Sequence, residues 1–281
     1  MLKTRVITAI FLLIGFSLAL FRLPPPAWAG LVAVVCGLAG WEWARLCGGA
    51  AMLARGYGLG VAGLAMLLSH LWLDEAGHLL ARAVAPAVVL FAAAVLFWLM
   101  LVPVWLRSRW RLHQLWLGLL LGLLLILPPA MALCLIRAEG PWVLLAAMAV
   151  VWVADIAAYF SGRAFGRHKL APNISPGKTW EGVCGAVFGV WASAAWVLWW
   201  HDAAQPTWVW LMYAILLLAL TALSVIGDLF ESLMKRQAGM KDSSGLLPGH
   251  GGVLDRIDSL TSTLPFVGLA LVLGRLNGFF A

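Results

Sequence analysis

The sequence predicts an all-α fold, a polytopic transmembrane helical bundle of about nine spans with its N-terminus in the cytoplasm. Three observations carry this. Of 281 residues, 63% are hydrophobic and only 11% charged, and mean hydropathy is +0.96, whereas soluble domains carry about a quarter charged residues. A membrane-crossing helix takes roughly 17–25 mostly apolar residues, and nine runs fit, near 6–21, 27–44, 57–73, 83–106, 113–136, 142–162, 182–200, 207–230 and 260–276. Alternation with a period of two is absent, so a β-barrel does not fit.

Orientation follows from Lys and Arg, which cytoplasmic loops retain. With the N-terminus inside, fifteen of the nineteen fall on the cytoplasmic side, and only Arg22, Arg82, Arg137 and Arg275 lie outside. The same count predicts an external C-terminus and an external 201–206 turn. It also accounts for the net charge of +7 without a nucleic-acid partner.

Along the chain, MLKTR, the first apolar run and the Ala27-x-Ala29 pattern imitate a signal peptide. The expectation is an uncleaved first helix closed by a turn at Pro24-Pro25-Pro26. Cys36, Cys47, Cys134 and Cys184 stand singly, with no CxxC pair, and are expected as small core residues, neither a zinc site nor a disulfide framework. Pro128-Pro129 inside the fifth run is expected to kink that helix. Glu42, Asp74, Glu75, Glu139 and Asp202 are scattered near helix ends, where water reaches. Residues 1–141 therefore read as a transmembrane scaffold, and residues 142–281 as the half that carries chemistry, with loops 163–181 and 232–258 on the cytoplasmic face.

Seven of the twelve carboxylates lie in those loops or in the helix ends feeding them. Asp155, in AVVWVADIAAYF, lies about 10 Å inside the end of its helix counted back from Gly162. An ionised Asp there costs about 2.5–3.5 kcal/mol on insertion scales, so it should face a cavity or a partner. Downstream, Gly177-Lys178-Thr179 imitates a nucleotide loop, but Pro172 stands where the phosphate-binding pattern needs Gly. Ser175-Pro176 reads as a helix start, Ser as N-cap and Pro at the first position, which puts Lys178, Thr179 and Glu181 on the first turns of the seventh helix. Gly182, Gly185 and Gly189 follow at small-residue spacing, suited to close helix packing.

The second polar segment starts on a helix, with Asp228, Glu231, Ser232 and Lys235 at i, i+3, i+4 and i+7, one stripe facing a common site. Ser243-Ser244-Gly245 and Pro248-Gly249-His250-Gly251-Gly252 form a glycine-rich loop whose backbone can approach a phosphate and offer it N–H donors. Asp255 and Asp258 come next on the first turns of the last span, with carboxylates expected to project together. Hard oxygen ligands held this way suit Mg²⁺, which takes one or two carboxylates plus substrate phosphate oxygens.

Over residues 150–260 the chain resembles the phosphatidate cytidylyltransferase family, the CDP-diacylglycerol synthases. Every fixed element of that family's signature is present, as Ser232, Lys235-Arg236, Lys241-Asp242, His250-Gly251-Gly252, Asp255-Arg256 and Asp258, and the upstream DIAAYFSGRAFG and KLAPNISPGKTWEG look like the same family. The resemblance implies an integral membrane enzyme of a bacterial inner membrane. It would join CTP and phosphatidic acid into CDP-diacylglycerol with release of pyrophosphate, depend on Mg²⁺ with a second cation left open, and form a homodimer. Transfer of a nucleotidyl group asks mainly for positioning and charge neutralisation. On that expectation Asp228, Asp255 and Asp258 hold the cation and triphosphate, and Asp155 and Glu231 are further ligands or supports of the ligands. Lys178, Lys235, Arg236, Lys241 and Arg256 hold the CTP and lipid phosphates, and Ser175, Thr179, His250, Gly251 and Gly252 complete the pocket. Two rivals remain at this stage. A CDP-alcohol or polyprenyl-phosphate transferase expects Asp-Gly and GxxxDxxxD spacing, which GGVLDRID lacks. An ion-coupled transporter expects acids at mid-depth, whereas these crowd at one face.

Overall fold

Nine helical rods follow one another in the computed structural model, which describes residues 2–200 and 206–277; the expected external turn, with Asp202, lies outside them except for Pro206. They are α1 (Leu2–Arg22), α2 (Pro25–Leu46), α3 (Ala51–Trp72), α4 (Ala81–Ser108), α5 (Leu115–Glu139), α6 (Pro141–Phe165), α7 (Trp180–Trp200), α8 (Thr207–Gln237) and α9 (Leu254–Leu276). A short hairpin, β1 (Lys169–Ala171) and β2 (Ser175–Thr179), separates α6 from α7. Eight rods, α2 to α9, are long and apolar enough to cross a membrane, and Val6–Arg22 within α1 is a shorter apolar helix. The fold is the expected all-α polytopic bundle, and the chain is an integral membrane protein.

Local chemistry explains most boundaries. Pro25 opens α2 at a position where the missing N–H costs nothing. Gly140 alone separates α5 from α6, at φ +145, a conformation that glycine reaches without a Cβ clash. Within α4 the helix widens to a π turn over Phe97–Leu101, just before Pro103, which has no N–H for the regular ladder. Helix α5 continues through Pro128 and Pro129, both buried. The cysteines are free, with Cys36 and Cys134 buried and Cys47 half-buried, but Cys184 is exposed and does not belong to the core.

One hydrophobic core runs through helices from both halves of the chain. At its polar end Phe230 of α8 sits among Trp43, Phe97, Trp98 and Trp105, with ring centroids 5.5–6.5 Å away. This fixes α8 against α2 and α4 one residue from Glu231. Helices α6 and α7 meet through the glycine stripe, as expected. A Cβ at Gly185 would lie 1.9 Å from Ser161 Oγ, and one at Gly189 2.6 Å from the Ala157 Cβ. At the opposite end of the bundle Arg137 donates to the Leu20 and Leu23 carbonyls, and Arg275 pairs with Glu139.

The start of α7 departs from the expectation. Ser175 and Pro176 do not begin the helix; they lie on β2, antiparallel to β1, with Lys169 opposite Thr179 and Ala171 opposite Ser175. Pro172-Asn173 makes the turn between the strands, closed by the Ile174 N–H donating to the Ala171 carbonyl at 3.1 Å. Thr179 is the residue that caps α7, its hydroxyl accepting the Gly182 N–H at 3.1 Å. Two signals competed for one start, and strand pairing with Lys169–Ala171 decided between them.

Candidate functional site

A cavity of about 590 Å³ opens between α6, the hairpin, α7 and α8. Asp155 lines it, as its cost in an apolar helix required, together with Ser175, Lys178, Thr179 and Asp228. Strand β2 carries Lys178 across to α8, where its ammonium lies 2.6 Å from Asp228 Oδ2, and Ser232 donates to the other oxygen at 3.2 Å. Asp258 lies within electrostatic range of both Asp228 and Asp155, and its Oδ1 accepts the Ser259 N–H at 2.7 Å. The hairpin is held by Glu181, whose carboxylate lies 2.6 Å from His168 Nδ1.

The stripe on α8 divides. Asp228 lines the cavity with Ser232 bonded to it, while Glu231 and Lys235 turn toward α9. Lys235 bridges Glu231 at 2.5 Å and Asp255 Oδ1 at 2.6 Å. Asp255 Oδ2 accepts the Ser243 N–H at 2.8 Å, the Ser243 hydroxyl at 2.9 Å and the Gly252 N–H at 2.7 Å. Asp255 and Asp258 therefore do not present a joint pair of free carboxylates: Asp255 is saturated by protein donors, while Asp258 lies within electrostatic range of Asp228, Asp155 and Glu231.

The glycine loop is closed from a helix that sequence reasoning had assigned to the scaffold. Glu42 of α2 is fully buried. Its carboxylate accepts the Ser243 hydroxyl at 3.2 Å, the Ser244 hydroxyl at 2.5 Å, the Val253 N–H at 3.0 Å and the Leu254 N–H at 2.6 Å. The last two are orphan donors at the start of α9, so Glu42 serves that helix as a cap supplied from another helix and favourably placed against its dipole. Gly252 admits this contact, since a Cβ there would lie 2.3 Å from Glu42 Oε1 and 2.1 Å from Ser243 Oγ. Gly251 takes φ +79 beside Asp255. One sequence signal pointed to Glu42: an acid within an apolar run is as costly there as Asp155 is in its own.

The other expected site residues lie around this frame. Arg236, Lys241 and Asp242 are exposed at the rim of the polar end. His250 is half-buried, its N–H closing a turn onto the Leu247 carbonyl at 2.8 Å, and its ring Nδ1 has no partner among the described residues. Arg256 is exposed, within electrostatic range of Asp155. Thr8 of α1 donates to the Pro248 carbonyl at 3.1 Å, which puts the start of α1 at the same end as the loop.

Carboxylates outnumber cations in this frame. Asp155, Asp228, Asp258, Glu231, Asp255 and Glu42 gather around two directly paired lysines, Lys178 and Lys235. Among the described residues no three His, Cys, Asp or Glu side chains converge to hold an ion unaided. A Mg²⁺ held by Asp228 and its neighbours would have to draw its remaining ligands from water and substrate phosphates.

Residues 3–273 match the cytidylyltransferase family. Among curated relatives, the chain is 43% identical to a phosphatidate cytidylyltransferase of Pseudomonas aeruginosa over 277 residues, 94% of this chain and 95% of that protein. It is 38% identical to one of Haemophilus influenzae over 283 residues, 95% of this chain and 97% of that protein. A third, from Brucella suis, is 49% identical over 140 residues, covering 47% of this chain and 49% of that protein.

Proposed function

The chain belongs to the cytidylyltransferase family, and from that premise we propose that it transfers the cytidylyl group of CTP to phosphatidic acid, forming CDP-diacylglycerol and pyrophosphate. Membership removes the two rival readings. The observation that carries the proposal is the cavity where Lys178, Asp228 and Asp155 meet, with Asp258 within electrostatic range of both acids, at the polar end of an otherwise apolar bundle. It is a place where polyanions and a cation offset one another's charge.

Mg²⁺ is assigned to Asp228 and Asp258, with Asp155 beside them; a second cation is left open. When bound it would supply charge neutralisation to phosphate oxygens. Asp255 in this conformation holds the loop and Lys235 instead. Lys178 and Arg256 orient the two phosphate-bearing substrates, and Arg236 and Lys241 at the rim draw them in. The lipid phosphate is anionic at neutral pH and needs no base. One of its oxygens forms a bond to the α-phosphorus of CTP, the bond from that phosphorus to the β-bridging oxygen breaks, and pyrophosphate leaves with the electron pair. Positioning and fixed charge account for such a step without a covalent enzyme intermediate.

Purified protein supplied with CTP, phosphatidic acid and Mg²⁺ should release pyrophosphate, and omission of any one should stop release. A chiral α-thio analogue of CTP should give product of inverted configuration at phosphorus. Retention would defeat direct attack and turn attention to His250 as a covalent carrier.

The site is proposed to face the cytoplasm from a bacterial inner membrane, in a homodimer, with the C-terminus outside, on the strength of the Lys and Arg distribution and the resemblance. A cysteine at position 245, in the exposed part of the loop, should react with an impermeant thiol reagent only after the membrane is opened. Labelling of intact cells would overturn the orientation.

A further inference from the structure

A second cavity, of about 450 Å³, is walled by α1, α2, α5, α6, α9 and the glycine loop. Its lining is apolar, Phe16, Trp28, Val35, Trp152 and Leu260 among it, with a single charged exception, Arg256. The Arg256 guanidinium forms no hydrogen bond or ion pair with the described residues, yet it lies within electrostatic range of Asp155, which lines the polar cavity. Trp152 and Asp155 are three residues apart on α6, so one helix contributes to both cavities. Helix α1 closes the apolar cavity through Leu12, Leu13 and Phe16, the Phe16 ring lying 6.3 Å from Trp28 and 6.2 Å from Trp152, while Phe11 beside them is largely exposed.

We propose that this groove holds an acyl chain of the lipid substrate, with the lipid phosphate at Arg256, where groove and polar cavity approach one another. The proposal rests on the phosphatidate reading above. A phospholipid has one anionic end and a long apolar one; the groove has one cation and otherwise hydrocarbon, and its volume lies in the range of ligand-binding cavities. An annular bilayer lipid shares the apolar half of this chemistry but not the preference for a terminal phosphate monoester.

Two measurements on the full-length protein test it. Phosphatidic acid bearing a diazirine on its acyl chain, irradiated with the wild-type protein in phosphatidylcholine vesicles, should label groove residues such as Phe16, Trp28 and Trp152. Unlabelled phosphatidic acid should suppress those adducts, and added phosphatidylcholine should not. Adducts spread over all lipid-facing helices, or suppressed equally by both lipids, would overturn the proposal. Narrowing the groove with Val35→Phe should raise KM for dipalmitoyl relative to dihexanoyl phosphatidate by about tenfold, the loss expected for a displaced stretch of buried chain. An unchanged KM ratio would also overturn it. Failure to consume any phosphatidate at all would instead strike the functional reading.

Discussion

Asp228→Asn is expected to lower turnover by about 10²–10³-fold, the range seen when one preorganised hydrogen-bonding group is removed from a reaction centre, while the protein accumulates in the membrane at its normal level. Asp228 is the carboxylate that the structure places most directly at the cavity, 2.6 Å from Lys178 and reached by Ser232. Asn has nearly the same volume and is less costly to insert into hydrocarbon, so folding should survive. What is lost is the negative charge that fixes the Lys178 ammonium and that would share a cation with Asp258. Comparison of kcat for the purified proteins at equal amounts in the membrane checks this. Turnover within tenfold of wild type, or disappearance of the protein, would assign Asp228 to a structural ion pair.

Glu42→Ala is expected to cost about as much without touching the polar cavity. Four donors, two of them backbone N–H groups at the start of α9, lose their acceptor together, and a hydrogen bond to a charged group contributes about 1.5–3 kcal/mol. The sum is not additive, but loss of even two frees the loop that carries Ser243, His250 and Gly252. Activity should fall by about 10²-fold or more, with faster hydrogen exchange across residues 243–254 and near-native exchange in α6 and α7. Glu42→Gln should fall between wild type and Glu42→Ala, because it keeps the volume but offers one acceptor oxygen in place of two. Normal exchange in the loop of Glu42→Ala together with near-wild-type turnover would sink the anchoring role.

The class of this protein is legible in its composition and local patterns. Hydropathy is a sum over neighbours, so the apolar runs marked the membrane helices to within a few residues. The spacing Ser232, Lys235-Arg236, Lys241-Asp242, His250-Gly251-Gly252, Asp255-Arg256, Asp258 is likewise local, and it led to the family. The cost of an acid in hydrocarbon placed Asp155 at a cavity before any contact was known. Pairings between distant segments, by contrast, are set by the fold. Strand β2 exists because Lys169–Ala171 lies beside it, which no capping rule at Ser175 could report. Asp255 and Asp258, three residues apart on one helix, part because Lys235 and Ser243 claim the first, while the second is left among acids from other helices. Glu42 meets Leu254 across 212 positions. A carboxylate's role is set by the donors that fold against it, and those arrive from elsewhere in the chain.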